Sequence, residues 1–268
     1  MSNALYSKNS VLLYRIYLIL FIIFLLSPIL MMMITAFNDT NSLSVSNWYG
    51  FTFKWFYKLS HNTTALSALI NSLIVAFFVA ILSNVMGFGV ALLLNEIQGK
   101  TKILLYTFFI SPILLPGVIL GISTLIIWKM IGVSGGLFLT VLAQSSFLSS
   151  YCLLLYLTRL SKLDPYTIEV AKDMGATGGQ AIRYIALPFI KPAFFSATAL
   201  SMLLSFENYN TSLFVVGAKQ TLPIYIGSFV RVGLTPEVTA LSTLLIVFAA
   251  TAAFFYKSMR IKKGSGEL

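Results

Sequence analysis

The sequence predicts an all-α integral membrane protein with six transmembrane helices and both termini in the cytoplasm. Three observations support this fold class. The 268 residues are 58% hydrophobic and only 10% charged, whereas soluble domains average roughly 25% charged residues. The charges are clustered and leave long uncharged runs, each able to supply the roughly 20 apolar residues of one membrane crossing. The basic residues also divide unequally between the two sides of the predicted membrane.

The uncharged runs fix the order of the spans. We predict helices at about 13–36, 65–94, 104–128, 137–158, 192–216 and 238–256. The first run exceeds the roughly 7–15 residues of a signal-peptide core and lacks a nearby cleavage site, which favours a retained helix. The uncharged run of the second span begins with the polar stretch LSHNTTALSALINS, which favours one crossing over two. Pro112 and Pro116 should kink the third span, because each removes a backbone donor.

Orientation follows from the lysines and arginines. With both termini inside, 13 of the 18 basic residues lie on the cytoplasmic side. The five outside are Lys54, Lys58, Lys129, Lys219 and Arg231. This distribution follows the positive-inside rule, so the net charge of +10 requires no nucleic-acid partner.

Several kinds of chemistry are unsupported by the residues present. Cys152 and His61 are the only cysteine and histidine, which excludes an internal disulfide and a His/Cys metal cluster within one chain. No GxxxxGK[ST] motif cradles a nucleotide phosphate, and no nucleophile–base pair is evident. We therefore expect no catalytic residues, no metal and no cofactor.

The first outside loop, about 37–64, contains the aromatic stretch NWYGFTFKWFYKL. Aromatic side chains with two lysines suit the membrane–water boundary, where such rings sit with one wet end. The same surface could instead dock an outside partner. The residues alone leave both interpretations open.

The longest predicted cytoplasmic connection, residues 159–191 (the polar loop), reads as two short helices between spans 4 and 5. Asp164-Pro165 supplies an N-cap with proline at the first helical position, and Gly175 fits the position after the helix end, where positive φ is favourable. Thr177 and Gln180 have capping-box spacing for the second helix.

Each helix of the polar loop carries a small apolar stripe. Ile168, Ala171 and Met174 form the first stripe, and Ile182 and Ile185 lie in the second helix. Pro188 is expected to stop that helix and Pro192 to begin the next span. Such helices could lie on the membrane surface or insert into a groove on a cytoplasmic protein, and residue chemistry does not decide between them.

The polar loop resembles the conserved loop of binding-protein-dependent ABC transporter permeases, whose pattern is E-A-A, three residues, G, nine residues, I-x-L-P. The matching residues are Glu169, Ala171, Gly175, Ile185, Leu187 and Pro188. Val170 departs from the alanine of the pattern. The resemblance implies that these residues form a coupling helix seated in a cleft of a cytoplasmic ATP-binding subunit.

The resemblance covers most of the chain. FNDTNS, NSLIVA, LPGVILGIS and GLTPEVTALST look like the second permease subunit of spermidine/putrescine transporters, in a branch that also carries opines and phosphonates. It implies an importer in the bacterial inner membrane. The implied partners are two ATP-binding subunits, a second permease chain, an extracytoplasmic solute-binding protein and membrane lipid. The resemblance favours a second permease chain that is related to this one but different.

Glu207 is the only charged residue in the interior of a predicted span. A carboxylate at mid-bilayer costs roughly 2.5–3.5 kcal/mol, so it should face protein or a water-filled path. Asn208, Tyr209 and Asn210 add amide and phenol groups. We predict that these four residues line the path of a cationic solute such as a polyamine. A helix-packing hydrogen bond of Glu207 is the alternative, and the polyamine-permease pattern has an acidic pair where this chain has Glu-Asn.

Competing functions have less support. A secondary carrier would need more polar groups near mid-membrane, and an intramembrane enzyme would need paired catalytic residues. A purely structural scaffold would not explain the spacing of the polar loop. We therefore expect a non-enzymatic half of a translocation pore.

Overall fold

The computed structural model of the chain describes residues 8–41, 47–233 and 235–264. Within these ranges the backbone is helical apart from turns, loops and an isolated bridge between Asn38 and Phe51. The helices are α1 (Lys8–Thr35), α2 (Lys54–Ser60), α3 (Thr63–Glu96), α4 (Gly99–Ile110), α5 (Gly117–Met130), α6 (Leu137–Leu160), α7 (Pro165–Asp173), α8 (Gly178–Ala181), α9 (Leu187–Phe206), α10 (Ser212–Val215), α11 (Leu222–Val232) and α12 (Pro236–Gly264). A 3₁₀ turn (Ser111–Leu114) follows α4, and a π turn (Ile182–Ala186) precedes α9.

Among the described residues, five helical segments are long and apolar enough to cross a membrane. They are 11–35, 63–96, 137–160, 178–206 and 236–255. The segments Gly99–Leu114 and Gly117–Met130 meet at a bend of 104° and make a sixth crossing if they form one broken span. The expected all-α membrane architecture is therefore confirmed at the level of five or six candidate spans.

The chain divides into two compact units. The first joins the residues up to Thr63 with those from Phe229 onward, and it packs α1 and α2 against α12. Trp55 is buried there, and its indole N–H donates to the Asn38 carbonyl at 2.9 Å. Glu237, buried in the first turn of α12, pairs with Lys58 at 3.2 Å and accepts from the Asn62 amide. A carboxylate at a helix N-terminus is favoured by the helix dipole.

The second unit, Thr64–Ser228, packs α6 against α9 and contains two helix breaks, one between α4 and α5 and one between α9 and α10. Small residues allow helices to approach closely in such bundles. At Gly87 of α3, an added Cβ would lie 2.6 Å from the Cβ of Cys152. The buried Tyr156 hydroxyl donates to Asn84 Oδ1 at 2.5 Å, so α3 and α6 also share a polar contact.

The candidate span 178–206 differs from the predicted fifth span, 192–216. The helix passes through both prolines and ends at Phe206, so Pro188 does not stop it and Pro192 lies inside it. The π turn explains this continuity, because the Leu187 N–H bonds five residues back to the Ile182 carbonyl. A widened turn directly before Pro188 makes room for the ring, which would otherwise meet a carbonyl of the preceding turn.

The predicted proline kink in the third span is confirmed as a break between α4 and α5. Pro112 lacks the N–H that would bind the Phe108 carbonyl, and the Ser111 hydroxyl donates to that oxygen instead at 2.8 Å. From α6, the Ser150 hydroxyl donates to the neighbouring Phe109 carbonyl at 2.6 Å. Side chains thus satisfy backbone oxygens at the break, as apolar surroundings require.

Candidate functional site

A cavity of about 300 Å³ lies in the second unit where its two helix breaks meet. One wall is the break between α4 and α5, including Pro112 and Gly117. The non-helical linker 207–211 between α9 and α10 forms another part of the lining. Non-helical backbone at membrane depth is tolerated where it lines a cavity or is buried in protein.

The four predicted path residues, Glu207, Asn208, Tyr209 and Asn210, all line this cavity. Sequence reasoning placed them inside a continuous helix, whereas the structure places them in the linker. Part of the reason is local, because Asn208 Oδ1 accepts from the backbone N–H groups of Thr211 at 3.1 Å and Ser212 at 3.4 Å. A short polar side chain that caps a new helix in this way competes with continuation of the old one.

The cavity has an electronegative end. Glu207 terminates α9, where the last carbonyls carry the negative end of the helix dipole. Its side chain is exposed, and among the described residues it has no ion-pair partner. It is also the only charged residue that lines the cavity within the described part of the chain. This wall can therefore attract a cation.

Thr211 is a lining residue that sequence reasoning missed. It is fully buried, and its hydroxyl has no hydrogen-bond partner in the described part of the chain. Tyr151 and Phe147 of α6 complete the aromatic side of the cavity. No local sequence pattern marks Phe147 and Tyr151, because they meet the linker only through the packing of α6.

Two glycines of α5 let it pack directly on the linker. A Cβ at Gly117 would lie 3.0 Å from Thr211 Oγ1, and a Cβ at Gly121 would lie 2.7 Å from the Thr211 carbonyl oxygen. The second distance is too short for a methyl group against a backbone oxygen. Position 121 therefore requires glycine for close approach of two backbones.

Replacing Gly121 with alanine should destabilise this wall. We expect the free energy of unfolding to fall by about 1–3 kcal/mol, because the linker backbone must shift. Thermal unfolding in detergent measures the effect. Gly89→Ala in α3 is the matched control, since a Cβ there meets no atom of the described residues within 4 Å. A loss of stability for Gly89→Ala equal to that for Gly121→Ala would contradict the close-contact explanation.

The polar loop forms the helix caps that its sequence predicts. Asp164 Oδ1 accepts from the Tyr166 N–H at 3.0 Å at the start of α7. Gly175 has φ +90°, with its N–H bonded to the Lys172 carbonyl. The Ala176 N–H bonds to the Ala171 carbonyl, which completes a Schellman ending. Thr177 and Gln180 form both bonds of a capping box.

The apolar surface of the polar loop differs from the predicted stripe. Ile168 and Ala171 are half-buried, but Met174 is 84% exposed. Met174 instead continues an exposed row with Tyr166 (70%) and Val170 (57%), each four residues apart. Residues at this spacing share one helix face, so α7 presents an apolar ridge (Tyr166, Val170, Met174) outward.

The other motif residues lie in and after α7. Glu169 is exposed on α7, whereas Ile185 is half-buried in the π turn. Leu187 and Pro188 are exposed at the start of α9. The structure thus joins the end of the polar loop directly to a membrane-length helix.

Arg159 ties the two ends of the polar loop together. Its Nε donates to the Phe189 carbonyl at 3.0 Å, and its guanidinium lies 4.3 Å from the centre of the Phe189 ring. The last turn of α6 is therefore bound to the first turn of α9. A displacement of the polar loop would therefore be transmitted to both α6 and α9.

Comparison with known proteins supports the family resemblance. The chain is 33% identical over 228 residues to the spermidine/putrescine transport system permease protein PotC of Haemophilus influenzae, covering 84% of this chain and 88% of that protein. It is 30% identical over 253 residues to the putrescine transport system permease protein PotI of Escherichia coli, covering 90% and 88%.

A solved structure is similar over nearly the whole chain. It belongs to a bacterial ABC transporter involved in the import of the acidic polysaccharide alginate, with TM-score 0.70 and 14% identity. The match covers 96% of this chain and 99% of that one. A scan against models of protein families gives no match. At this identity the structural likeness concerns the fold.

Proposed function

Because this chain belongs to the ABC transporter permeases of the spermidine/putrescine type, we propose that it forms half of the pore of an ATP-driven importer for a small cationic solute such as a polyamine. The protein is a multi-pass inner-membrane permease subunit. Residues 1–268 serve as one transmembrane domain that contributes conformational change, while ATP hydrolysis occurs on a separate subunit.

The observation that carries the choice of solute is the exposed Glu207 carboxylate at the electronegative end of the cavity. An ammonium group there gains the carboxylate, the dipole of α9 and neutral oxygens from Asn210 and Thr211. These features favour the path role over a helix-packing bond of Glu207.

The single carboxylate also limits what this chain does alone. A polyamine has two or more ammonium groups, whereas the cavity carries one charged residue among those described. The other ammonium groups would be bound by neutral oxygens or by the second permease chain. A related but different partner would supply such complementary groups.

The proposed contact with the ATP-binding subunit centres on α7. Glu169, Ala171 and Gly175 match the family pattern, and the ridge (Tyr166, Val170, Met174) supplies the apolar surface that a groove on a partner would bury. An unpartnered apolar ridge on a short capped helix suits insertion into a groove. Ile185, Leu187 and Pro188 then connect the contact to α9, and the Arg159–Phe189 contact connects it to α6.

The proposed topology places the polar loop and both termini in the cytoplasm. Lys162, in the polar loop but outside the ridge, and Met130 are both exposed, and the proposal assigns them to opposite sides of the membrane. The cysteine of Lys162→Cys should react with a membrane-impermeant maleimide only in inside-out vesicles, and that of Met130→Cys only in right-side-out vesicles. The native Cys152 is buried and gives little background. Reaction of both cysteines from the same side would contradict the topology.

The complete importer requires partners that this chain does not contain. The proposal assigns two ATP-binding subunits to the cytoplasmic side and a solute-binding protein to the other. A related permease chain completes the pore within the lipid bilayer. Purification of the membrane complex tests this composition, because a secondary carrier would purify without a nucleotide-hydrolysing subunit.

A further inference from the structure

Gln144 reaches both ends of the linker that carries the predicted path residues. It lies in α6 and is fully buried. Its Oε1 accepts from the Ser205 hydroxyl at 2.5 Å, in the last turn of α9. Its Nε2 donates to the Ser212 hydroxyl at 2.7 Å, at the start of α10. One amide of α6 thus binds both ends of the linker.

The Gln144 side chain donates one of these two hydrogen bonds and accepts the other. A primary amide offers an acceptor on one atom and donors on the other, so Gln144 can hold two different hydroxyls at once. Ser205 and Ser212 are themselves buried, at 4% and 0% exposure, so water does not replace a lost partner easily. The linker ends are therefore fixed to α6, while Asn208 fixes the backbone at the start of α10.

We infer that Gln144 is a positioning residue that holds linker 207–211 in the conformation that exposes Glu207 and Asn210 to the cavity. Gln144 does not line the cavity and acts on it through Ser205 and Ser212. The relevance of Gln144 to transport rests on the proposed function, in which the cavity is the solute path. The effect of Gln144 on the linker conformation is independent of that function.

The test combines a chemical readout with transport kinetics. Asn210, which is exposed in the cavity wall, is replaced with cysteine, and the rate of its reaction with a cationic methanethiosulfonate reagent is measured in the assembled transporter. Gln144→Met keeps the approximate shape of the side chain and removes both hydrogen bonds. We expect the reaction rate to change about fivefold or more, since each lost bond is worth about a factor of five.

In the same variant without the added cysteine, putrescine uptake should show a KM raised roughly 5- to 25-fold with kcat nearly unchanged. A general packing defect would lower the amount of transporter and its kcat instead. Leu148→Met is the matched control, because it places methionine at another fully buried position of α6 without removing a hydrogen bond. Ser205→Ala and Ser212→Ala each remove one of the two hydrogen bonds of Gln144 with little change in side-chain volume.

The outcomes separate the two claims. The inference is supported if the cysteine introduced by Asn210→Cys reacts at a changed rate in Gln144→Met and in either serine variant. Its rate in Leu148→Met must stay unchanged. If the rate changes while KM for putrescine does not, the positioning role holds and the proposed solute path is wrong. Should Gln144→Met fail to assemble, the serine variants give the same readout. An unchanged reaction rate in the variants that assemble overturns the inference.

Discussion

Replacing Gly175 with aspartate is expected to abolish ATP-driven transport while the folded permease remains in the membrane. Gly175 has φ +90° and ends α7 through the Schellman bonds described above. Within the described ranges a Cβ there meets no atom within 4 Å, so the added side chain projects outward without a clash against them. Its carboxylate lies next to Met174, on the proposed contact surface, and at the negative end of the α7 dipole. A charge buried without a partner at that contact is strongly unfavourable.

Gly175→Asn is the matched control for this variant. Asparagine has the size of aspartate, carries no charge and tolerates positive φ. We expect transport by Gly175→Asn to remain within roughly a few-fold of wild type, because the remaining cost is backbone strain of about 1–2 kcal/mol. Uptake and ATP hydrolysis are compared in proteoliposomes at equal amounts of permease. Wild-type transport by Gly175→Asp would contradict the proposed contact.

Glu207→Gln is expected to raise the KM for a cationic solute by roughly 10- to 100-fold, which corresponds to about 1.5–3 kcal/mol for a hydrogen bond to a charged group. Glutamine keeps the size and the accepting oxygen of the side chain but removes the charge that faces the cavity. Stability should change little, because Glu207 is exposed and has no ion-pair partner among the described residues. Uptake at varied putrescine concentration in vesicles measures the effect.

Restoring the charge nearby tests whether charge itself matters. Asn210 lines the same cavity and is exposed, so Glu207→Gln combined with Asn210→Asp returns one carboxylate to the wall. The double variant should recover a substantial part of the lost affinity. If Glu207→Gln alone leaves KM and solute selectivity unchanged, the path role of Glu207 is wrong and the helix-packing alternative gains support.

The polar loop was the part of the molecule that sequence predicted best. Its structure depends on neighbours in the chain, namely Asp164 before Pro165, Gly175 after α7, and Thr177 three residues before Gln180. Each pattern specifies a hydrogen bond within five residues, and the structure contains all of these bonds. The outward direction of Met174 was not predicted, because Met174 is three residues from Ala171 and four from Val170, and both spacings fit a shared helix face.

Features that depend on distant residues were predicted less well. The path residues were identified as polar groups in an apolar run, but the break that carries them depends on Asn208 and on the partners of Gln144. Nothing in the local sequence of α6 indicates that Gln144 meets Ser205 and Ser212. The predicted helix end at Pro188 was wrong, because a π turn allows the helix to continue where proline normally ends it.

The most direct test of the central claim is site-specific photo-crosslinking from the ridge in the assembled complex. A photoreactive amino acid at position 174 is expected to crosslink to a nucleotide-hydrolysing subunit, identified by mass spectrometry, with the same group at Met130 as the control. We predict a crosslink to that subunit from position 174 and none from position 130. Crosslinks from position 174 only to lipid or to extracytoplasmic proteins would contradict the account.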